Sequence, residues 1–400
     1  MFIDALKGIA DLDVLFYVRP EIDCSPPSIA HWQRILSERW ETNLRLLLCP
    51  GSAHVDSARR WQNHGREMLS VFQQPGYTST SGPREIQALR QCLLRNPDII
   101  FAHRMVSMCP LLLSRTTLPP VYFDMDDVEH IAFLRNIDRS WPWHSRMVQY
   151  LKVPAIVYGE QRAGRLAQRT FVCSEEDRTH LKKNWLLPRV EVIPNGVDPK
   201  PLLPVTPEKT LLFVGSFKYK PNLDAARFLI QEIWPRVLEA VPEARLIVAG
   251  IFSETVEFFK GSFPGVEFAG FVKDLDALYT RSRIVCAPIL SGGGTRVKIL
   301  EAAAYGKPVV STRLGAEGLG LRDGFDLLER DDAESFAAAC LQLLLEDKLC
   351  EQLGSNARSA VAKRFQRESV VRLIQERIGA SLVENGSRRD KAATGLPTQE

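Results

Sequence analysis

RIVCAPIL (Arg283–Leu290) runs directly into SGGGTRVKILEAAAYGKPVVST (Ser291–Thr312), and these thirty residues decide how the chain is read. The first eight are short, apolar and rich in branched side chains, the pattern of a strand buried on both faces of a parallel sheet. Gly292, Gly293 and Gly294 follow, where absent Cβ atoms let the backbone bend tightly and approach a ligand. A helix is predicted to start near Thr295, turning its free N–H groups and positive dipole end toward that bend, which makes an anion site. Arg296 and Lys298 place two cations in the first turn, where they oppose the dipole unless an anion answers them. Glu301 lies three residues beyond Lys298. The plain alternative is a glycine turn with two solvated cations.

Working outward, the same strand-and-loop grammar repeats. LLFVGSF (Leu211–Phe217) reads as a buried strand running into Gly215 and Ser216, followed by Lys218 and Lys220, with Asn222 expected to cap a helix over Leu223–Ala240. A basic loop at the C-terminal end of a parallel strand is a phosphate position; surface lysines are the alternative. RLIVAG (Arg245–Gly250) and VEFAGFV (Val266–Val272) supply further strands, with Gly250 and Gly270 allowing close backbone approach to a ligand. Ala333–Leu345 is an apolar helix, and an amphipathic helix is predicted over Glu368–Val383.

Toward the N-terminus, strands are predicted over residues 13–19, 43–49, 98–103 and 120–124, and helices over Ile29–Trp40 and Arg84–Leu94. Alternation of this kind argues for a parallel α/β sheet. His103 ends its strand, where ligands sit in open α/β folds. Asp124, Asp126, Asp127, Glu129 and His130 follow the next strand; acids there suit a helix N-terminus or a carboxylate site equally. Ser174 should cap a helix beginning Glu175-Glu176-Asp177. Residues 131–190 hold eleven Lys or Arg against five Asp or Glu, interleaved with Trp141, Trp143, Tyr150 and Tyr158. Such a stretch suits an anionic lipid surface or simply solvated helix faces.

Composition bounds the rest. The chain has 400 residues, 45% hydrophobic and 25% charged, with a net charge of +3, so it reads as a soluble globular protein with room for two domains and no electrostatic pull toward nucleic acid. Eight scattered cysteines without a CxxC pair read as reduced, core-filling thiols, and no metal site is evident. No stretch approaches the roughly 20 apolar residues of a membrane span, and MFIDALKGIADLD lacks the plan of a secretory signal. A cytoplasmic location follows, with peripheral contact at the inner face of the membrane as the open extension.

The string G-G-G-T-R-x-K-I-L-E-A-x-A-x-G-K-P-V-V-S-T resembles the donor motif of the family 4 (group 1) glycosyltransferases, and VEVIPNGV (Val190–Val197) and GAEGL (Gly315–Leu319) match the same family. The resemblance is specific from Val190 to about Phe365 and diffuse over residues 13–189. It implies the GT-B fold, two Rossmann-like domains facing each other across a cleft. It also implies retaining, metal-independent transfer of a sugar from a nucleotide-diphosphate donor to a glycan or lipid-linked acceptor, in polysaccharide or glycolipid biosynthesis. In that family the glutamate matching Glu301 binds the ribose hydroxyls, and the groups around it hold the diphosphate, which makes Gly215, Ser216, Lys218, Lys220, Gly270, Gly292, Gly293, Gly294, Thr295, Arg296 and Lys298 donor-site candidates. His103 matches the active-site histidine, and the D-x-D-D-V-E segment the cleft-facing acids.

Two departures stand out. Gly293 occupies the position of the family's first, sugar-contacting glutamate, and Ser216 that of a diphosphate-binding arginine. The loop after the first strand, Ser25-Pro26-Pro27-Ser28, has no glycine pair. These leave a non-catalytic nucleotide-binding or scaffold subunit as the competing reading. A nicotinamide dehydrogenase is excluded, because no G-x-G-x-x-G follows the first strand.

The expected plan is an acceptor-binding domain over 1–197, a Pro-rich linker over 198–209 (four prolines in twelve residues), a nucleotide-sugar domain over 210–367, a helix over 368–384 returning to the first domain, and a disordered tail over 385–400.

Overall fold

The computed structural model describes residues 1–51, 60–138, 140–185, 187 and 189–393. Arg139 of the basic stretch and residues 394–400 of the tail lie outside these. The chain divides into two units, Met1–Ile193 with Val370–Glu400, and Pro194–Ser369.

The second unit carries one six-stranded sheet. Its strands are β7 (Thr210–Val214), β8 (Arg245–Ala249), β9 (Val266–Gly270), β10 (Ile284–Ala287), β11 (Val309–Ser311) and β12 (Leu328–Glu329), in the order β12-β11-β10-β7-β8-β9 with every pairing parallel. Side-chain alternation shows why apolar runs were needed. Leu211, Phe213, Leu246, Val248, Ile284 and Cys286 belong to one buried cluster, while Leu212, Ile247, Ala249, Val285 and Ala287 belong to another. Both faces of each central strand are therefore covered, each fully buried aliphatic side chain contributing about 1.5–3 kcal/mol. The order has one reversal, between β10 and β7, and the connections leaving these two strands diverge there.

In the first unit, β1 (Leu12–Val18) pairs with β2 (Leu44–Pro50), and a separate sheet runs β3 (Ile100–His103), β4 (Val121–Asp126), β5 (Arg169–Val172), β6 (Val190–Val192), all parallel. The C-terminal helix Arg367–Ala393 packs here: Val370, Ile374 and Ile378 are buried with Ala5, Leu6, Tyr122, Phe171 and Ile193.

Several expectations are corrected. Ser25-Pro26-Pro27-Ser28 is not a loop: Ser25 is the N-cap and the helix spans Pro26–Trp40, because prolines at the first helical positions lose no hydrogen bond. Asn222 is not a cap either. The helix begins at Lys220, runs to Phe228, passes through a π-turn at Leu229–Ile233 and resumes as Trp234–Ala240. Pro235, which has no N–H to give, sits at the resumption and accounts for the irregular turn. Val190–Val192 forms the strand at the start of VEVIPNGV, and strand β4 extends through the first acids to Asp126.

The Pro-rich stretch is not a free linker. Val197 N–H donates to Phe365 O at 2.8 Å, Leu203 N–H to Tyr305 O at 3.0 Å, and Arg358 Nη2 to Lys200 O at 2.6 Å, which fasten it along the second unit. At the C-terminus, residues 385–393 continue the last helix rather than leaving it at 384.

Candidate functional site

The reversal between β7 and β10 is where a doubly wound sheet holds its ligand, beyond the C-terminal strand ends. After β7 the chain turns through Gly215 and Ser216; after β10 it turns through Ser291–Arg296 into the helix Val297–Ala304, two residues later than expected, with Arg296 as N-cap. Gly292 has φ 95°, and a Cβ there would lie 2.6 Å from Tyr219 Oη and 3.1 Å from Pro221 Cγ. Only glycine lets this loop lie against the loop leaving β7. At Gly250, after β8, a Cβ would overlap the Gly215 carbonyl oxygen, so these two strand ends touch backbone to backbone.

Asn222, absent from the candidates read in the sequence, joins the two loops. Its Nδ2 donates to Ser216 O at 3.0 Å while its Oδ1 accepts from Lys298 Nζ at 2.9 Å. The Lys298 ammonium also lies 4.4 Å from the centroid of the Phe213 ring. Burial pushes Lys298 down from 10.5 to about 7, with nearby Arg296 adding to the depression and Glu301 opposing it. A lysine in this state is poised to be recharged by an arriving anion.

Arg296 is buried, its guanidinium donating to Gly293 O and, at 3.3 Å, to Ser291 O, so it shapes the glycine loop from within. Thr295 Oγ1 accepts from Asn195 Nδ2 at 2.8 Å. Lys218 is exposed, 5.6 Å from the Phe252 ring centroid. Lys220 is held by Asp224 at 2.9 Å one helical turn on, an arrangement that ties it to its own helix.

Glu301 lies one turn into the helix, partly buried, with no hydrogen bond to its carboxylate among the described residues. Burial raises its pKa, with Lys200 and then Lys298 opposing. Gly270 ends β9 with φ 65°. The loops leaving β8 and β9 open with apolar side chains in solvent, Ile251, Phe252 and, 70% exposed, Phe271. These three were missed; an apolar residue directly after a strand-ending glycine is the signal that would have found them.

In the first unit, His103 and Asp124 are register partners at the ends of β3 and β4, and His103 Nδ1 donates to Asp124 Oδ2 at 2.6 Å. His103 is exposed; Asp124 is 4% exposed, and burial raises its pKa while the His103 hydrogen bond holds it back. The contact fixes the orientation of the His103 ring. Next to them, Arg104 Nε and Nη2 donate to Asp126 Oδ2 at 2.9 and 2.6 Å. Arg104 and Asp126 have φ of 62° and 60°, an uncommon conformation for non-glycine residues and one that concentrates at functional strand ends. Arg104 had no sequence signal beyond its place after the strand-ending histidine. Of the other acids in the run, Glu129 opens a helix rather than joining this cluster.

Two α/β units, each built on parallel strands and one of them carrying a strand-order reversal, define the class as doubly wound α/β. Comparison with known proteins narrows it. Residues 44–200 match the model of Glycosyltransferase Family 4, and residues 208–346 that of Glycosyl transferases group 1. The chain is thus built of glycosyltransferase domains of the family 4, group 1 type. A phosphatidyl-myo-inositol mannosyltransferase of Mycolicibacterium smegmatis is 33% identical over 170 residues, 39% of this chain and 43% of that protein. The matches to curated relatives of this kind span less than half of the relatives' own length. Among solved structures, the sucrose-phosphate synthase of Thermosynechococcus elongatus shares the fold with a TM-score of 0.64 at 15% identity, covering 94% of this chain and all of that one. Anabaena HepE, solved with UDP and glucose, has a TM-score of 0.58 at 16% identity, covering 88% of each. The GT-B type of fold inferred from the motif is the one found. Among the described residues no helix is long and apolar enough to cross a membrane.

Proposed function

We propose that this chain transfers a sugar, with retention of configuration, from a nucleotide-diphosphate donor to a glycan or lipid-linked acceptor in cell-surface polysaccharide or glycolipid assembly. The observation that carries the reading is the link Lys298–Asn222–Ser216, which draws the loops on both sides of the β7/β10 reversal together around a lysine held near neutrality. A departing diphosphate needs positive charge that strengthens as negative charge develops, and a recharged Lys298 beside Arg296 supplies it, with exposed Lys218 as a further cation. Lys220, already paired, is the weakest member of the donor set. Gly215, Ser216, Gly292, Gly293, Gly294 and Thr295 offer backbone and hydroxyl groups to the phosphates. Glu301 takes the ribose hydroxyls, for which an unpartnered carboxylate is suited. Gly270 leaves room for the base, with Phe252 and Phe271 as apolar surfaces for its ring.

His103, oriented by Asp124, is proposed to stabilise the sugar as it gains positive character, and no separate protein base is required if the leaving diphosphate oxygen takes the acceptor's proton. No metal is invoked. HepE, solved with UDP and glucose, makes uridine nucleotides the first to try. Peripheral contact at the inner membrane face draws on Trp143, Tyr150 and Tyr158, all exposed.

The test is a thermal-shift titration with UDP, GDP, ADP and their sugar conjugates, since a ligand that binds only the folded state raises its stability. A selective shift lost in Glu301→Ala, together with slow donor hydrolysis, supports the enzyme. A shift without hydrolysis or transfer supports the non-catalytic subunit, for which Gly293 in place of the family's first glutamate is the specific argument. No shift with any of them refutes both.

A further inference from the structure

On the first unit, at the opposite end of the β3–β6 sheet from His103, lies a cavity of about 720 Å³. Pro119, Pro120 and Val121 lead into β4, Gln168 directly precedes β5, and Arg189 directly precedes β6, so the cavity sits at the N-terminal strand ends. One six-residue strand, about 20 Å, separates it from the other end of the sheet. The volume falls in the range of small-molecule sites, and the hollow is open to solvent.

Its chemistry is one-sided. Leu111, Leu112, Leu118 and Leu166 with the two prolines make an apolar floor, and Arg162, Arg165 and Arg189 stand around it with no acidic side chain in the lining. Among the described residues none of the three guanidiniums has a carboxylate partner. Arg162 is partly accounted for: its Nη2 donates to Leu112 O at 3.4 Å, and its guanidinium carbon lies 5.7 Å from the Phe72 and Tyr158 ring centroids. Two helices, Arg104–Leu113 and Val153–Leu166, end at the cavity, and each C-terminus brings roughly half a negative charge. Together they offset only about one of the three positive charges, so the wall stays net positive by about two. Three like charges around one apolar hollow favour an anion among them, a pull that solvent weakens at the exposed Arg165 and Arg189. Gln168 is also a lining residue, and its carboxamide Oε1 is buried without a hydrogen-bond partner among the described residues.

We propose that this cavity binds a phosphorylated amphiphile, its phosphate held by Arg165 and Arg189 and its apolar chain on the leucine floor. The same chemistry is offered by an anionic membrane phospholipid and by a free phosphorylated molecule with an apolar body.

The full chain is titrated calorimetrically with decyl phosphate below its micelle-forming concentration, with inorganic phosphate and with neutral octyl glucoside. One decyl phosphate should bind per chain, at least tenfold more tightly than either control. Arg165→Ala with Arg189→Ala should weaken it at least tenfold, as expected for losing charge-assisted hydrogen bonds. Both side chains are exposed, so the unliganded melting temperature of this variant should not move. Thr116→Glu, which keeps the arginines and adds a carboxylate to the lining, should weaken binding as well, and Lys298→Met in the other unit should not. Arginine-dependent co-sedimentation with phosphatidylglycerol over phosphatidylcholine vesicles identifies the bilayer as source; decyl phosphate binding without vesicle capture identifies a soluble amphiphile. Decyl phosphate binding no tighter than inorganic phosphate or octyl glucoside, or indifferent to both lining variants, overturns the proposal.

Discussion

Nucleotide binding by this chain should take up a proton, and Lys298 should be where it goes. Burial and Arg296 hold the free lysine near pH 7 rather than 10.5, so at pH 8 about nine tenths of it is neutral. A diphosphate beside the ammonium reverses the balance, because the opposite charge stabilises the protonated form that burial disfavours. Binding at pH 8 should therefore absorb about 0.9 proton, and affinity should fall about tenfold per pH unit above 7 until the pKa of the complex is reached. The sign follows from proton counts: the bound state holds one proton more than the free state in this window, so raising the pH favours the free state. The assay is calorimetric titration of the tightest-binding nucleoside diphosphate at pH 8 in two buffers of different ionisation enthalpy, with Lys298→Met and Lys298→Arg alongside. The methionine variant should bind weakly without uptake. The arginine variant, charged throughout, should bind without uptake at a pH-independent affinity. Uptake below about 0.2 proton with full affinity, or uptake unchanged in Lys298→Met, would refute the assignment of Lys298 to the phosphates.

Glu301→Ala should weaken nucleotide binding by about 2–3 kcal/mol through loss of two charge-assisted hydrogen bonds, and unchanged affinity in the same titration removes Glu301 from the site. His103→Ala and Asp124→Asn should leave nucleotide affinity intact and lower turnover at least about a hundredfold for the histidine; full activity of His103→Ala would return this residue to a structural role. Gly250→Ala should cost at least about 2–3 kcal/mol of stability by chemical denaturation, because the new Cβ overlaps the Gly215 carbonyl; a midpoint within error of wild type would contradict the backbone contact. Glu129, raised by burial and by Glu160 from 4.5 to about 8, favours the protonated folded state, so its contribution to stability should decline between pH 4.5 and 8. Glu129→Gln should flatten that part of the stability–pH curve, and curves that stay parallel would show that Glu129 titrates normally.

What the linear order of residues determined is the part governed by local physics. Apolar runs such as Leu211–Phe217 and Arg283–Leu290 announced strands covered on both faces, because only such strands tolerate uninterrupted branched side chains. The glycine loop and its helix were legible for the same local reason, and so was the glycosyltransferase string around Glu301. The corrections have local causes too: Pro26 and Pro27 read as loop formers, whereas the first helical turn has no N–H bond for them to lose. Tertiary structure alone decided what meets across sequence distance. Asn222 touches Lys298 from 76 residues away, and neither has a periodicity that reports the other. His103 finds Asp124 because β3 and β4 run in parallel register, and the side chain opposite a given residue is a property of that pairing. The depressed pKa of Lys298 has the same origin, since burial is a sum over neighbours from many segments. So does the convergence of Arg162, Arg165 and Arg189, which the sequence shows only as scattered positive charge.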